Sequence, residues 1–187
     1  MSYLDKTGCE FLVRKTKSYV DDNKPQLRTY VGRIPAQITV GKEARPKDLE
    51  FYPGDGTNTI HTGQAEKYFD VDDYGYIYLK KAPTGKTGVT VLINFQIYAY
   101  NGYTAGKKLY VHIRKAYKNT AISSRIEKIK YIYYIPVTAP YLVFSGHFYY
   151  FLEEDEGITL DVYSSDGKGT IGCGDGFDTH LALTTVI

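Results

Sequence analysis

Hydrophobic and polar residues alternate most cleanly between Val89 and Tyr100. Val89, Val91, Ile93, Phe95, Ile97 and Ala99 fall on one face, and Thr90, Asn94, Gln96, Tyr98 and Tyr100 on the other. A period of two marks a half-buried strand, because successive side chains point to opposite faces of a sheet. The turn NGYTAG then leads into Leu109, Val111 and Ile113, again on one face. Upstream, AQITV, DLEFY, NTIHT, KYFDV and YIYLK read as shorter strands separated by Gly, Pro and Asp. Downstream, KYIYYIPV, YLVFSGHFYYFL, GITLDVYSS and THLALTTVI read as four more, with Ile158, Leu160 and Val162 alternating against Thr159, Asp161 and Tyr163. Residues 115–130 are basic and weakly periodic, which predicts a connection.

These elements predict a mainly β chain. Seven short strand candidates between Ala36 and Lys118 suggest an immunoglobulin-like antiparallel β-sandwich over residues 36–118. The stretch from Asp70 to Ile113 resembles the closing strands of bacterial and phage immunoglobulin- or cadherin-like modules. Residues 119–187 form a second small β unit, either a sandwich of its own or the completion of the first. Residues 1–35 read as a helix followed by an arm, with DDNKP and RIP in the segment from Asp21 to Pro35.

Composition changes this picture little. Twenty Tyr and eight Phe, without Trp, agree with strands, because aromatic side chains fit a half-buried pleated surface. The net charge of +2 is too small for a general nucleic-acid binder. Charge is uneven, however: between Lys107 and Lys130 eight Lys/Arg face one acid, Glu127. That stretch is either a solvated face or a contact for an acidic partner. Cys9 and Cys173 stand far apart in unlike contexts, which suggests neither a metal site nor a disulfide framework. No apolar run approaches the ~18 residues of a spanning helix, and Met1 to Val20 lacks the apolar stretch of a secretory signal. The expectation is synthesis and assembly in a cytoplasm, without a membrane partner.

Candidate chemistry is sparse. Asp70, Asp72, Asp73 and Gly75 in DVDDYGY suggest a calcium loop, but Tyr74 and Lys81 stand where oxygen ligands would be needed. A turn closed by Gly75 explains the same residues. GCGDGFDTH gathers Asp175, Asp178 and His180 without a nucleophile or a second ligand set. PTGKTG lacks the spacing of a phosphate loop, and SSDGKG is a turn. His112 points outward beside Tyr110, and His61 and His147 have no evident partner. The chain is therefore expected to be no enzyme and to hold no metal or cofactor.

The segment from Asp5 to Val20 departs from this strand pattern. Asp5 or Thr7 can cap a helix there, with Glu10 in its first turn. Cys9, Leu12, Thr16 and Tyr19 recur at helical steps, with Phe11 beside them. About four turns are marginal alone in water, so this helix must dock. YLDKTGCEFLVRKTKSYV resembles a short motif of phage virion proteins, above all tail-fibre and other appendage proteins: Leu-Asp-x-x-Gly-Leu-x-x-Leu-Trp-x-Lys-Ile-Lys. Leu4, Asp5, Gly8, Leu12, Lys15 and Lys17 match, while Cys9, Val13 and Thr16 replace its Leu, Trp and Ile. The resemblance implies a virion structural protein, either a capsid decoration or auxiliary protein or a head or tail appendage component. It would be assembled in the host cytoplasm and would contact other virion proteins as a homo-oligomer or on a lattice. Leu4, Phe11, Leu12 and Tyr19 are the expected interface anchors. The alternative is a glycan- or surface-binding module that uses exposed Tyr98, Tyr100, Tyr103 and Tyr110.

Overall fold

A computed structural model describes residues 10, 13–17, 26–42, 47–53, 64–100, 103–172 and 179–187. The chain is mainly β. Its strands are β1 (Leu27–Arg33), β2 (Ile38–Thr39), β3 (Lys47–Leu49), β4 (Tyr52–Pro53), β5 (Phe69–Val71), β6 (Ile77–Leu79), β7 (Gly88–Tyr100), β8 (Lys108–Tyr117), β9 (Ser124–Tyr134), β10 (Tyr141–Glu153), β11 (Glu156–Ser164), β12 (Thr170–Ile171) and β13 (His180–Val186).

Two antiparallel sheets face each other. Sheet A runs β10–β7–β13–β1–β4, with β12 and β2 continuing beside the end of β7. Sheet B runs β5–β6–β11–β8–β9, with β3 alongside β11. Both sheets draw strands from residues 36–118 and from 119–187. β7 pairs with β10 from Tyr100↔Tyr141 to Gly88↔Glu153, and β8 pairs with β11 from Leu109↔Ser164 to Tyr117↔Glu156. The second β unit thus completes the first.

The faces of β7 and β8 assigned to the core from alternation are buried, and β11 is buried on both faces. Val91, Ile93, Ile97 and Ala99 of β7, Leu109, Val111 and Ile113 of β8, and Ile158, Leu160 and Val162 of β11 are wholly inaccessible. Phe95 meets Tyr131 of β9 edge to face at 5.0 Å. β9 and β10 are edge strands of opposite sheets, and β9 tyrosines cross between them. The hydroxyls of Tyr131 and Tyr133 donate to the carbonyls of His147 and Ser145, at 2.5 and 2.7 Å. They occupy acceptors that an edge strand otherwise leaves open.

Two segments differ from expectation. The arm expected from Asp21 to Pro35 contains β1, which pairs with β13 from Leu27↔Val186 to Arg33↔His180. Its alternation is disguised because Arg28, buried with its guanidinium 4.7 Å from the Tyr68 ring, occupies an inward position. The basic connection expected over 115–130 is the end of β8, a turn and the start of β9. A register shift between His112 and Arg114 sets five positions of β9 against two of β8, which breaks the period. Glu10 and residues 13–17 are helical, within the expected N-terminal helix.

Candidate interaction surfaces

The outward face of sheet A is apolar over much of its width. Tyr141, Val143, Tyr149 and Phe151 of β10 stand opposite Tyr100, Tyr98, Leu92 and Thr90 of β7. Tyr149 is 71% exposed, Tyr141 60% and Phe151 50%. At about 200 Å² per ring, Tyr149 and Phe151 leave on the order of 240 Å² of aromatic surface in water, and Tyr141 stands apart from them beyond exposed Ser145 and His147. Val143, Leu27 and Val186 are each more than half exposed and extend the same face. Apolar patches of a few hundred Å² on a monomer are often functional. Between β10 and the β1–β13 pair lies an open cleft of about 480 Å³, lined by Leu27, Leu92, Tyr149, Phe151, Thr184 and Val186.

The outward face of sheet B has a different chemistry. Asp161, wholly buried in the middle of β11, is the acid at its centre. One carboxylate oxygen meets His112 Nδ1 at 3.0 Å. The other accepts from Arg114 at 3.2 Å and from Arg125 Nε at 2.8 Å. Arg114 also donates to the Ser123 hydroxyl and carbonyl. Burial lowers the His112 pKa below its ordinary value; Asp161 opposes that shift, while Arg125 and Lys130 add to it. Beside this cluster, Tyr110 stacks on Tyr163 at 4.5 Å, and Lys130 sits 5.4 Å from the Tyr110 ring.

No family model matches the chain, and no curated protein matches it in sequence. Solved structures do match in fold. Eiger TNF from S. frugiperda superposes with a TM-score of 0.52 at 11% identity, covering 87% of this chain and 93% of that one. Murine APRIL at pH 8.0 gives 0.56 at 8% identity, covering 86% and 99%. The fold is TNF-like. At these identities the likeness is one of architecture: the expected antiparallel β-sandwich is present, and the structures it matches are TNF-like jelly rolls.

The TNF-like sandwich disperses most of the residues singled out in the sequence. Asp72 forms the turn: one of its oxygens accepts from the Tyr74 and Tyr76 amides, and the other from the Asn119 amide. Gly75 adopts φ 74°, and a Cβ there would lie 2.5 Å from the Glu50 backbone. PTGKTG and SSDGKG are turns, closed by Lys86 N–H to Pro83 O and by Lys168 N–H to the Ser164 hydroxyl. His180 lies on β13 opposite Arg33, and His147 is exposed on β10. His112 lies on the outward face of sheet B, as expected, but is buried against Asp161. Leu4, Phe11, Leu12, Tyr19, His61, Asp175, Asp178 and both cysteines lie outside the described residues.

Tyr98 and Tyr103 are buried, at 8% and 2% exposure, and Tyr100 and Tyr110 are half-buried; these are not the open rings expected for stacking on sugars. The basic stretch is divided between faces. Lys115 reaches the buried Glu156 carboxylate at 3.0 Å, where Tyr150 also donates, and Lys118 sits 4.7 Å from the Tyr78 ring. Among the described residues no cluster of three His, Cys, Asp or Glu could hold a metal ion, and no helix is long and apolar enough to cross a membrane.

Asp161 escaped the sequence reading. An acid in mid-strand between Leu160 and Val162 was the available signal, since such a position needs a cation opposite.

Proposed function

We propose that this chain is a structural protein of a bacteriophage virion, a capsid decoration or auxiliary protein or a head or tail appendage component. It works without catalysis, by binding copies of itself and neighbouring virion proteins. The observation that carries this reading is the outward face of sheet A. Tyr149, Phe151, Leu27 and Val186 expose apolar side chains around one cleft, and Tyr141 and Val143 expose more farther along β10. The occupant of this face in this reading is a second copy. The patch is large enough to form the centre of an interface burying about 800 Å² per partner, and aromatic anchors dominate such centres. The N-terminal segment, with its likeness to the appendage motif, supports the virion assignment, and the anchors Leu4, Phe11, Leu12 and Tyr19 would extend the contact to neighbours.

The test is light scattering on the full chain at micromolar concentration, with a Tyr149→Ser/Phe151→Ser variant. The wild type should be an oligomer and the variant a monomer with an unchanged circular dichroism spectrum. A monomeric wild type, or a variant that assembles as before, would overturn the self-association. Mass spectrometry of purified particles tests the virion assignment separately, and absence of the chain from them would end it.

A further inference from the structure

We infer that the outward face of sheet B, along β8 and β9, binds an extended acidic polysaccharide. The proposal is independent of self-association, which uses the opposite sheet. Four cross-strand pairs form a ladder: Lys108 with Tyr134, Tyr110 with Ile132, His112 with Lys130, and Arg114 with Arg125. The first and last are six residues apart on β8, about 20 Å at roughly 3.3 Å per residue. Cations stand at three of the four rungs, so a small anion could meet one of them at a time and a chain of acidic groups could meet all three.

The cations are held in place before any ligand arrives. Among the described residues Arg125 is anchored to Asp161 through Nε, and its two terminal nitrogens form a fork suited to a carboxylate or phosphate. Lys108 and Lys130 lie against Tyr134 and Tyr110, at 4.9 and 5.4 Å from the ring centres. Such prior ordering lowers the entropic cost of binding. Asp161 is wholly inaccessible and serves the cations from beneath. Asp48 lies opposite Asp161 on β3, three strands from β9, or about 14 Å.

The class of polyanion follows from the intervening residues. Ile132 is 44% exposed, an apolar footing between the charges that suits the nonpolar face of a sugar ring. Single-stranded nucleic acid gains affinity by stacking bases on open aromatic faces. Here Tyr110 is stacked on Tyr163 with Lys130 over its ring, and Lys108 lies over Tyr134. The ladder therefore favours the sugar polymer.

The experiment is titration calorimetry of the full chain with polygalacturonate, neutral dextran and single-stranded oligothymidylate. Polygalacturonate should bind, more weakly as salt rises, and dextran should not. Lys108→Gln/Lys130→Gln leaves the Asp161 contacts intact and should weaken binding about tenfold with no change in thermal melting. Lys86→Gln, on the sheet A side, should bind as the wild type does. Equal binding of dextran, stronger binding of oligothymidylate, or undiminished affinity in the double variant would overturn the proposal.

Discussion

Replacing Phe95 with Ala removes a ring that is 2% exposed in the middle of β7, and the neighbours set the cost. Deletion of a buried aromatic costs about 3–5 kcal/mol, from lost transfer energy and the cavity left behind. Collapse into that cavity is restrained here, because Tyr131 is tied by its hydroxyl to the His147 carbonyl and cannot swing inward freely. The edge-to-face contact at 5.0 Å adds about 0.5–1.5 kcal/mol of coupling between the two rings. The loss is therefore expected toward the upper end of the range. Gln96→Ala, one residue along on the outward face, should cost less than about 1 kcal/mol. Urea melts of the single variants, with Tyr131→Ala and the Phe95/Tyr131 double variant, measure both quantities. Equal losses at 95 and 96 would refute the register, since a slip of one residue exchanges the faces. Additive losses at 95 and 131 would refute the ring coupling.

The buried ion cluster supports two further expectations. Asp161→Asn should destabilise the fold by about 3 kcal/mol, because removing the charge leaves two guanidinium groups without their anion; chemical denaturation showing under 1 kcal/mol would contradict that. The His112 pKa lies below its ordinary 6.5 in the folded chain. As pH falls through about 6.5 the unfolded chain takes up a proton that the folded one refuses, so this site lowers stability in acid and has no effect above about pH 7.5. Melting temperatures across this range should drop more for the wild type than for His112→Gln, and parallel curves would count against it.

Alternation located β7, β8 and β11 because each has one consistently apolar face, and it placed the inward residues of β7 and β8 correctly; β10 was legible only as a strand. It could not say that β10 is the neighbour of β7, since pairing is settled by residues far apart in sequence. β1 was hidden by Arg28, whose charged group is carried on a long stem and rests on the Tyr68 ring. The first half of β9 was hidden by its register shift, although KYIYYIPV marked the second half, and β12 was hidden by its two-residue length. The apolar face of sheet A was present in the text as YLVFSGHFYYFL, where rings fall at successive positions. A run apolar on both faces reads equally as a strand buried on both sides, and only the register of β10 against the outward Leu92 and Thr90 of β7 shows that Tyr149 and Phe151 face solvent. The Asp161 cluster required β8, β9 and β11 to be brought side by side, and no local spacing encodes that.

The pairing of β1 with β13 has a mechanical consequence. Gln26 and Ile187 exchange two backbone hydrogen bonds, of 2.8 and 3.1 Å, at the same end of the ladder. Tension applied between these two residues would break their own pair of bonds first and then load one rung at a time from Leu27↔Val186 inward, so the strands would peel apart under a small force. Tension applied between Gln26 and the far end of β13 would instead load all seven rungs in shear, as one. A tether attached at a single point near Gln26 spares the ladder both loads. The same sandwich is thus robust when hung from one end and frail when stretched between its two.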